Sequence, residues 1–230
     1  MKKLLMIATA LVLAPLVLAQ SADAPAKKKK SVSKKPVPYV KLAEAKTVSL
    51  KAEEPIVAFL FLDEDKKSEA INNKVLKRKE FMKEFAKPNF TVWAPLAFKR
   101  GASKSKIDVK KLAPDEREFL EKTIVTAKMT EQARQAGQTP PEFDDASLYP
   151  IVMVLLPGAT QEVYRFPRFD EEGGFAVWMM TMRDKLAENN IEPVITKPIQ
   201  KILDNPLADS KQANAAQTQK DSKKGKKKKK

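Results

Sequence analysis

The stretch PIVAFLFL (55–62) is apolar without a break, the pattern of a strand buried on both faces of a mixed or parallel sheet. At Asp63 it runs into a charged turn, and from about Ser68 to Ala86 the apolar period becomes helical. Ile71, Val75, Met82 and Phe85 fall on one stripe, and Pro88 is expected to end the helix. NFTVWAPLAF (89–98) reads as a second strand, with Pro95 placing its end at an edge or bulge. KRGASKSKIDVKK has no such period and reads as a basic loop.

A second helix opens at Pro114, with Asp115 and Glu116 against the positive end of its dipole. Phe119, Leu120, Ile124 and Ala127 form its apolar stripe, and Gly137 closes it. After the polar loop QTPPEFDDASLY, the run PIVMVLLPGATQEVYRF predicts a β-hairpin turning at Pro157–Gly158, with Val163 and Phe166 the apolar positions of its second strand. A last helix, from about Asp170 to Asn189, buries Phe175, Trp178, Met179, Met182 and Leu186. The predicted order is β-α-β-α-β-β-α, an α/β domain over 50–204.

The flanks are of another kind. Lys2 and Lys3 precede an apolar run from Leu4 to Ala19, with Val17 and Ala19 as small residues before a cut after Ala19. Residues 1–19 therefore read as a secretory signal peptide. The alternative is a retained anchor helix, but the run is short and broken by Pro15. Residues 20–49 read as a lysine-rich linker and 205–230 as a basic tail, both too poor in apolar side chains to offset the entropy of ordering and so expected to be disordered.

Charge sharpens this division. The net charge of +15 suggests a nucleic-acid binder until it is located. Residues 20–50 hold eight lysines against two acids, and 205–230 hold nine against two. The segment 51–204 holds 25 basic and 25 acidic side chains and is neutral. Lys27, Lys28, Lys29 and Lys30 in one tail, and Lys226, Lys227, Lys228, Lys229 and Lys230 in the other, fit a polyanion or an anionic membrane surface through counterion release. They fit equally well a role in solubility alone. Neither SADAPAKKKKSVSKKPVP (21–38) nor SKQANAAQTQKDSKKGKKKKK (210–230) carries aromatics or arginines for stacking or bidentate base readout.

The chain has no cysteine and no histidine. That eliminates disulfides, Cys and His nucleophiles, Ser–His–Asp triads and nearly all zinc sites. Acid–base chemistry would fall to carboxylates, lysine or tyrosine.

The sequence SLYPIVMVLLPGATQEVYRF, with an amphipathic helix after it, and the strand and helix of VAFLFLDEDKKSEAINNKV, resemble the thioredoxin-like fold family over roughly residues 50–190. The resemblance implies a mixed sheet flanked by helices. It places the family's cis-proline at Pro150, after Tyr149, and the redox motif at Asp65, Lys66, Lys67, Ser68 and Glu69. Neither thiol is present, so thiol–disulfide exchange cannot occur, and the redox role of the proline does not carry over.

Other chemistry is weighed against plainer readings. Asp63, Glu64 and Asp65 could ligate a cation, but they lack the glycine and terminal glutamate of an EF-hand and read as a solvated helix start; no metal is expected. Lys66 and Glu69 could pair on the surface. Glu142, Asp144 and Asp145 could face the charged turn as the paired carboxylates of a hydrolase. WMMTM (178–182) reads as core rather than a soft-metal site, and EEGG (171–174) as the loop leading into the last helix.

Two function classes remain. One is an exported, noncatalytic thioredoxin-like module that binds a polyanion, an envelope component or a protein partner, with no small-molecule cofactor; a periplasmic chaperone-like module differs from it only in what is bound. The other is a carboxylate-based envelope enzyme. The mature protein is predicted to begin at Gln20, which intact-mass analysis of the native protein checks. Recovery of the full chain from Met1 in the cytosolic fraction would remove the export reading. Insulin reduction by the purified protein is predicted to match the buffer blank, because thiolate chemistry has no thiol to use.

Overall fold

The computed structural model describes residues 38–166 and 174–208. The signal-peptide segment and Lys27–Lys30, Lys226–Lys230, Glu171 and Glu172 lie outside them. Strand β1 (Ile56–Leu60) is buried along its whole length, as its unbroken apolar run requires. It pairs in parallel with β2 (Thr91–Trp93) on one side and antiparallel with β3 (Ile151–Leu155) on the other. β3 in turn pairs antiparallel with β4 (Glu162–Phe166), giving the sheet order β2-β1-β3-β4. This is a mixed four-stranded sheet flanked by helices, a thioredoxin-like α/β fold.

Each face of the sheet carries its own core. Val57, Phe59, Val152, Val154 and Phe166 point to one side. Ile56, Ala58, Leu60, Met153 and Leu155 point to the other. The strict alternation follows from the period-2 geometry of a strand. The first core is covered by α2 (Lys66–Ile71), by the helical segments that follow it, by α6 (Gly174–Glu188) and by α7 (Lys197–Asp204). Trp178 of α6 stands at its centre, with its ring 5.0 Å from Phe166 and 5.4 Å from Phe81. The WMMTM segment is thus core, with Trp178, Met179 and Met182 all buried. The second core is covered by α1 (Leu42–Ala52) and α4 (Pro114–Thr123).

Several boundaries differ from the sequence expectation, each for a physical reason. The segment from Tyr39 to Ser49, read as linker, packs: Leu42 and Ala45 are buried in the second core. The Tyr39 N–H donates to the Val92 carbonyl and its carbonyl accepts from Ala94 N–H, which covers the outer edge of β2. The helix expected over 68–86 is interrupted. α2 widens into a π-helical stretch at Asn72–Leu76, turns at Lys77, and resumes as a second π-helical stretch at Glu80–Ala86. Pro88 sits inside its last turn, α3 (Lys87–Asn89), instead of ending it. The second strand is three residues long, because the chain leaves the sheet after Trp93 and rejoins only where Phe98 meets Leu62.

The helix from Pro114 stops at Thr123, and a new one, α5 (Ala127–Gln135), begins after Thr126, whose hydroxyl accepts from Met129 N–H. Ala127, placed on the buried stripe, is exposed. The carbonyls left open at the end of α4 are taken by Arg165 of β4, at 2.7 Å for Thr123 and 2.8 Å for Ile124. α7 was not foreseen, although Ile199 and Leu203 are buried one turn apart on it.

The hairpin turn is locked to α1. Ser49, fully buried, donates to the Glu54 carbonyl and accepts from Gly158 N–H at 3.1 Å. Gly158 has φ +74°, and a Cβ there would lie 2.9 Å from Cδ2 of Leu50. Leu50 is exposed and can swing aside, so the backbone dominates the cost. Gly158→Ala is predicted to destabilise the fold by about 1–2 kcal/mol, read as a lower midpoint in urea unfolding. Truncating Leu50 to Ala in the same chain should recover only a minor part.

Candidate functional site

Asp65 to Glu69, where the resemblance would place a redox motif, open α2 with a helix cap. Asp65 has extended backbone, and its Oδ2 accepts from Ser68 N–H at 2.7 Å and from the Ser68 hydroxyl at 2.9 Å. The same hydroxyl oxygen accepts from Leu62 N–H at 3.0 Å, where β1 leaves the sheet. Glu64 bridges strand and helix with φ +58°, and its N–H donates to Asp63 Oδ1. Ser68 is buried with both hydroxyl functions engaged, so it offers no nucleophile. Lys66, Lys67 and Glu69 are exposed, and Lys66 and Glu69 form no ion pair with each other.

The neighbouring loops are tied to this cap through aromatic contacts. Asp63 N–H donates to the Phe98 carbonyl at 2.8 Å, and the Phe98 ring meets the Tyr149 ring edge-on at 5.3 Å. The Tyr149–Pro150 peptide bond is cis. The Tyr149 hydroxyl donates to the Phe143 carbonyl at 2.9 Å. Burial holds the phenol well above its ordinary range, with the negative charge of Asp144 acting the same way and Arg165 opposing it. Tyr149 therefore stays protonated at any physiological pH and works as a strut.

Two carboxylates of the acidic loop, Glu142 and Asp144, gather on one lysine. Lys106 lies between Glu142 and Asp144, bonding directly to the first and 3.3 Å from the second. The hydrogen bond to Glu142, then that to Asp144, raises the Lys106 ammonium above its usual value, and Glu142 is lowered by the same lysine. Lys106 and Glu142 are exposed, so solvent screens the pair and it adds little stability. Asp145 accepts from Ser147 N–H and caps a short turn. Asp65, for its part, is turned toward Ser68. Of the carboxylates of the hydrolase reading, Glu142 and Asp144 are thus drawn together on Lys106, while Asp65 and Asp145 each accept from a nearby backbone N–H. No group of three or more acidic side chains suited to a metal ion occurs among the described residues.

The sequence placed Asp65 and Ser68 in the right turn but missed their joint role. The signal was present as the D-x-x-S spacing that opens a helix. Phe98 and Lys106 were missed because each acts through a partner more than 35 residues away, beyond the reach of local pattern.

No family model matches the chain, and no curated protein matches it. Among solved structures it is similar to a DsbH oxidoreductase at 15% identity and a TM-score of 0.42, over 72% of this chain and 95% of that one.

Two substitutions separate the cap from its exposed neighbours. Ser68→Ala is predicted to cost about 1–3 kcal/mol, since it leaves the buried Leu62 N–H without an acceptor. Asp65→Ala should cost about 1 kcal/mol for the lost cap. Lys66→Ala and Glu69→Ala should stay within about 0.5 kcal/mol of the parent. Chemical denaturation of the four variants checks the order.

Proposed function

We propose that this chain is a noncatalytic thioredoxin-like binding module that works outside the cytoplasm and holds polyanionic or envelope components through its lysine tails. The observation that supports it best is the closed cap at Asp65 and Ser68. At the place where relatives of this fold would carry reactive thiols, Asp65 and Ser68 are spent on starting a helix. A neutral domain between two strongly basic tails fits a scaffold that presents the tails. Their lysines act as point charges, so attraction to an anionic polymer is independent of its sequence and falls steeply with salt.

Retention on heparin tests this at two salt concentrations, with the full chain and a variant in which Lys27–Lys30 and Lys226–Lys230 are changed to Gln. The full chain is expected to be retained at low salt and released at high salt. The variant is expected to lose most of that retention while its unfolding midpoint is unchanged. Equal retention of the two would overturn the role given to the tails.

A further inference from the structure

The domain, although neutral overall, is not evenly charged. Between β2 and α4 the chain makes an excursion that carries six basic residues and one acid over residues 95–111. Two buried side chains anchor it. Phe98 is bridged to Leu62 and stacked edge-on against Tyr149, and Ile107 donates its N–H to the Asp144 carbonyl. Between these anchors residues 99–108 fold back as a short hairpin, with Arg100 paired to Ile107 and the Arg100 guanidinium donating to the Lys104 carbonyl at 2.7 Å.

The carboxylates within reach are mostly committed. Asp108 pairs with Lys111 at 3.3 Å, and Glu142 and Asp144 share Lys106. Asp63 and Glu64 lie on the adjoining turn. Lys99, Arg100, Lys104 and Lys110 are exposed and form no ion pair among the described residues.

Leu96 sits at the base of this hairpin, 79% exposed, the most exposed large apolar side chain among the described residues. Alone, an exposed leucine needs no explanation. Beside Lys99 and Arg100 it does, because four residues of chain span at most about 14 Å. An apolar side chain flanked by unneutralised cations is the arrangement that meets an anionic bilayer, where acyl boundary and headgroup charge lie within a few ångströms of each other. A soluble polyanion offers the charge but nothing for Leu96. From this we infer that the 95–104 loop is a peripheral contact for an anionic lipid surface, with Leu96 entering the headgroup boundary and Lys99, Arg100 and Lys104 on lipid phosphates. The contact belongs to the folded domain and does not depend on the role proposed for the tails.

The test uses the full chain carrying Leu96→Trp. Trp93 and Trp178 are 1% and 5% exposed, so an indole at 96 is the one that responds to its surroundings. Its emission is expected to shift to the blue with phosphatidylglycerol vesicles and to be quenched by brominated acyl chains, with no shift on phosphatidylcholine vesicles or on heparin. In the same chain Lys99, Arg100 and Lys104 changed to Gln should weaken vesicle binding about ten-fold or more, since each cation near such a surface contributes about a factor of five. Leu96→Asp should lower partitioning without changing retention on heparin. Vesicle binding with no emission shift would place the contact in the tails alone and overturn the inference. A shift of equal size on heparin would make the loop a site for soluble polyanions and overturn it as well.

Discussion

Strand β1 is dry on both faces and paired on both edges, and the rest of the molecule is arranged around that constraint. A strand whose five residues are all buried cannot leave any backbone N–H or C=O to water. It needs β2 on one side and β3 on the other, and each face must then be covered by helices. The two cores divide the helices between them, α1 and α4 on one face and α2, α6 and α7 on the other. The turn at the end of β1 is fixed in the same way. Leu62 leaves the sheet with its N–H pointing inward, and the Ser68 hydroxyl has to receive it. A cap at Asp65 and Ser68 is thus a consequence of the central strand as well as a helix start.

That dependence bears on what the site can do. The start of α2 and the loop before β3 both have their buried polar side chains committed. Ser68 is held from two directions, Tyr149 is buried with its hydroxyl committed, and the acidic loop is drawn to Lys106. Exposed charge is found both on Lys66, Lys67 and Glu69 of this turn and on the lysines of the 95–111 excursion.

The helical layer shows how tertiary contacts redirect local preference. From Pro114 the sequence favours one helix as far as Gly137, yet Arg165, some forty residues on, takes the carbonyls of Thr123 and Ile124 and a new helix starts at Thr126. From Ser68 to Ala86 a single apolar stripe is present, but the helix is wound more loosely in two places. Phe81 and Phe85 still reach the aromatic cluster around Trp178, and Arg78 lies 4.1 Å above the Phe175 ring.

The sequence by itself determined the identity of the strands, the hairpin turn at Pro157–Gly158, the start of the helix at Pro114 and the core residues of α6. Each of these rests on contacts or conformational preferences within a few residues, and period and composition record such preferences directly. The absence of cysteine and histidine likewise settled which chemistry is impossible, because no fold can supply a missing atom. Only the tertiary structure decided that Tyr39–Ser49 belongs to the domain, that α7 exists, and that Lys106 joins two acids of the loop. Those outcomes depend on partners far along the chain: Val92 for Tyr39, Asn89 for the segment at Val194 that leads into α7, Glu142 and Asp144 for Lys106. A local pattern carries no information about which distant side chain will arrive, since the meeting is set by how the two faces of one sheet are covered.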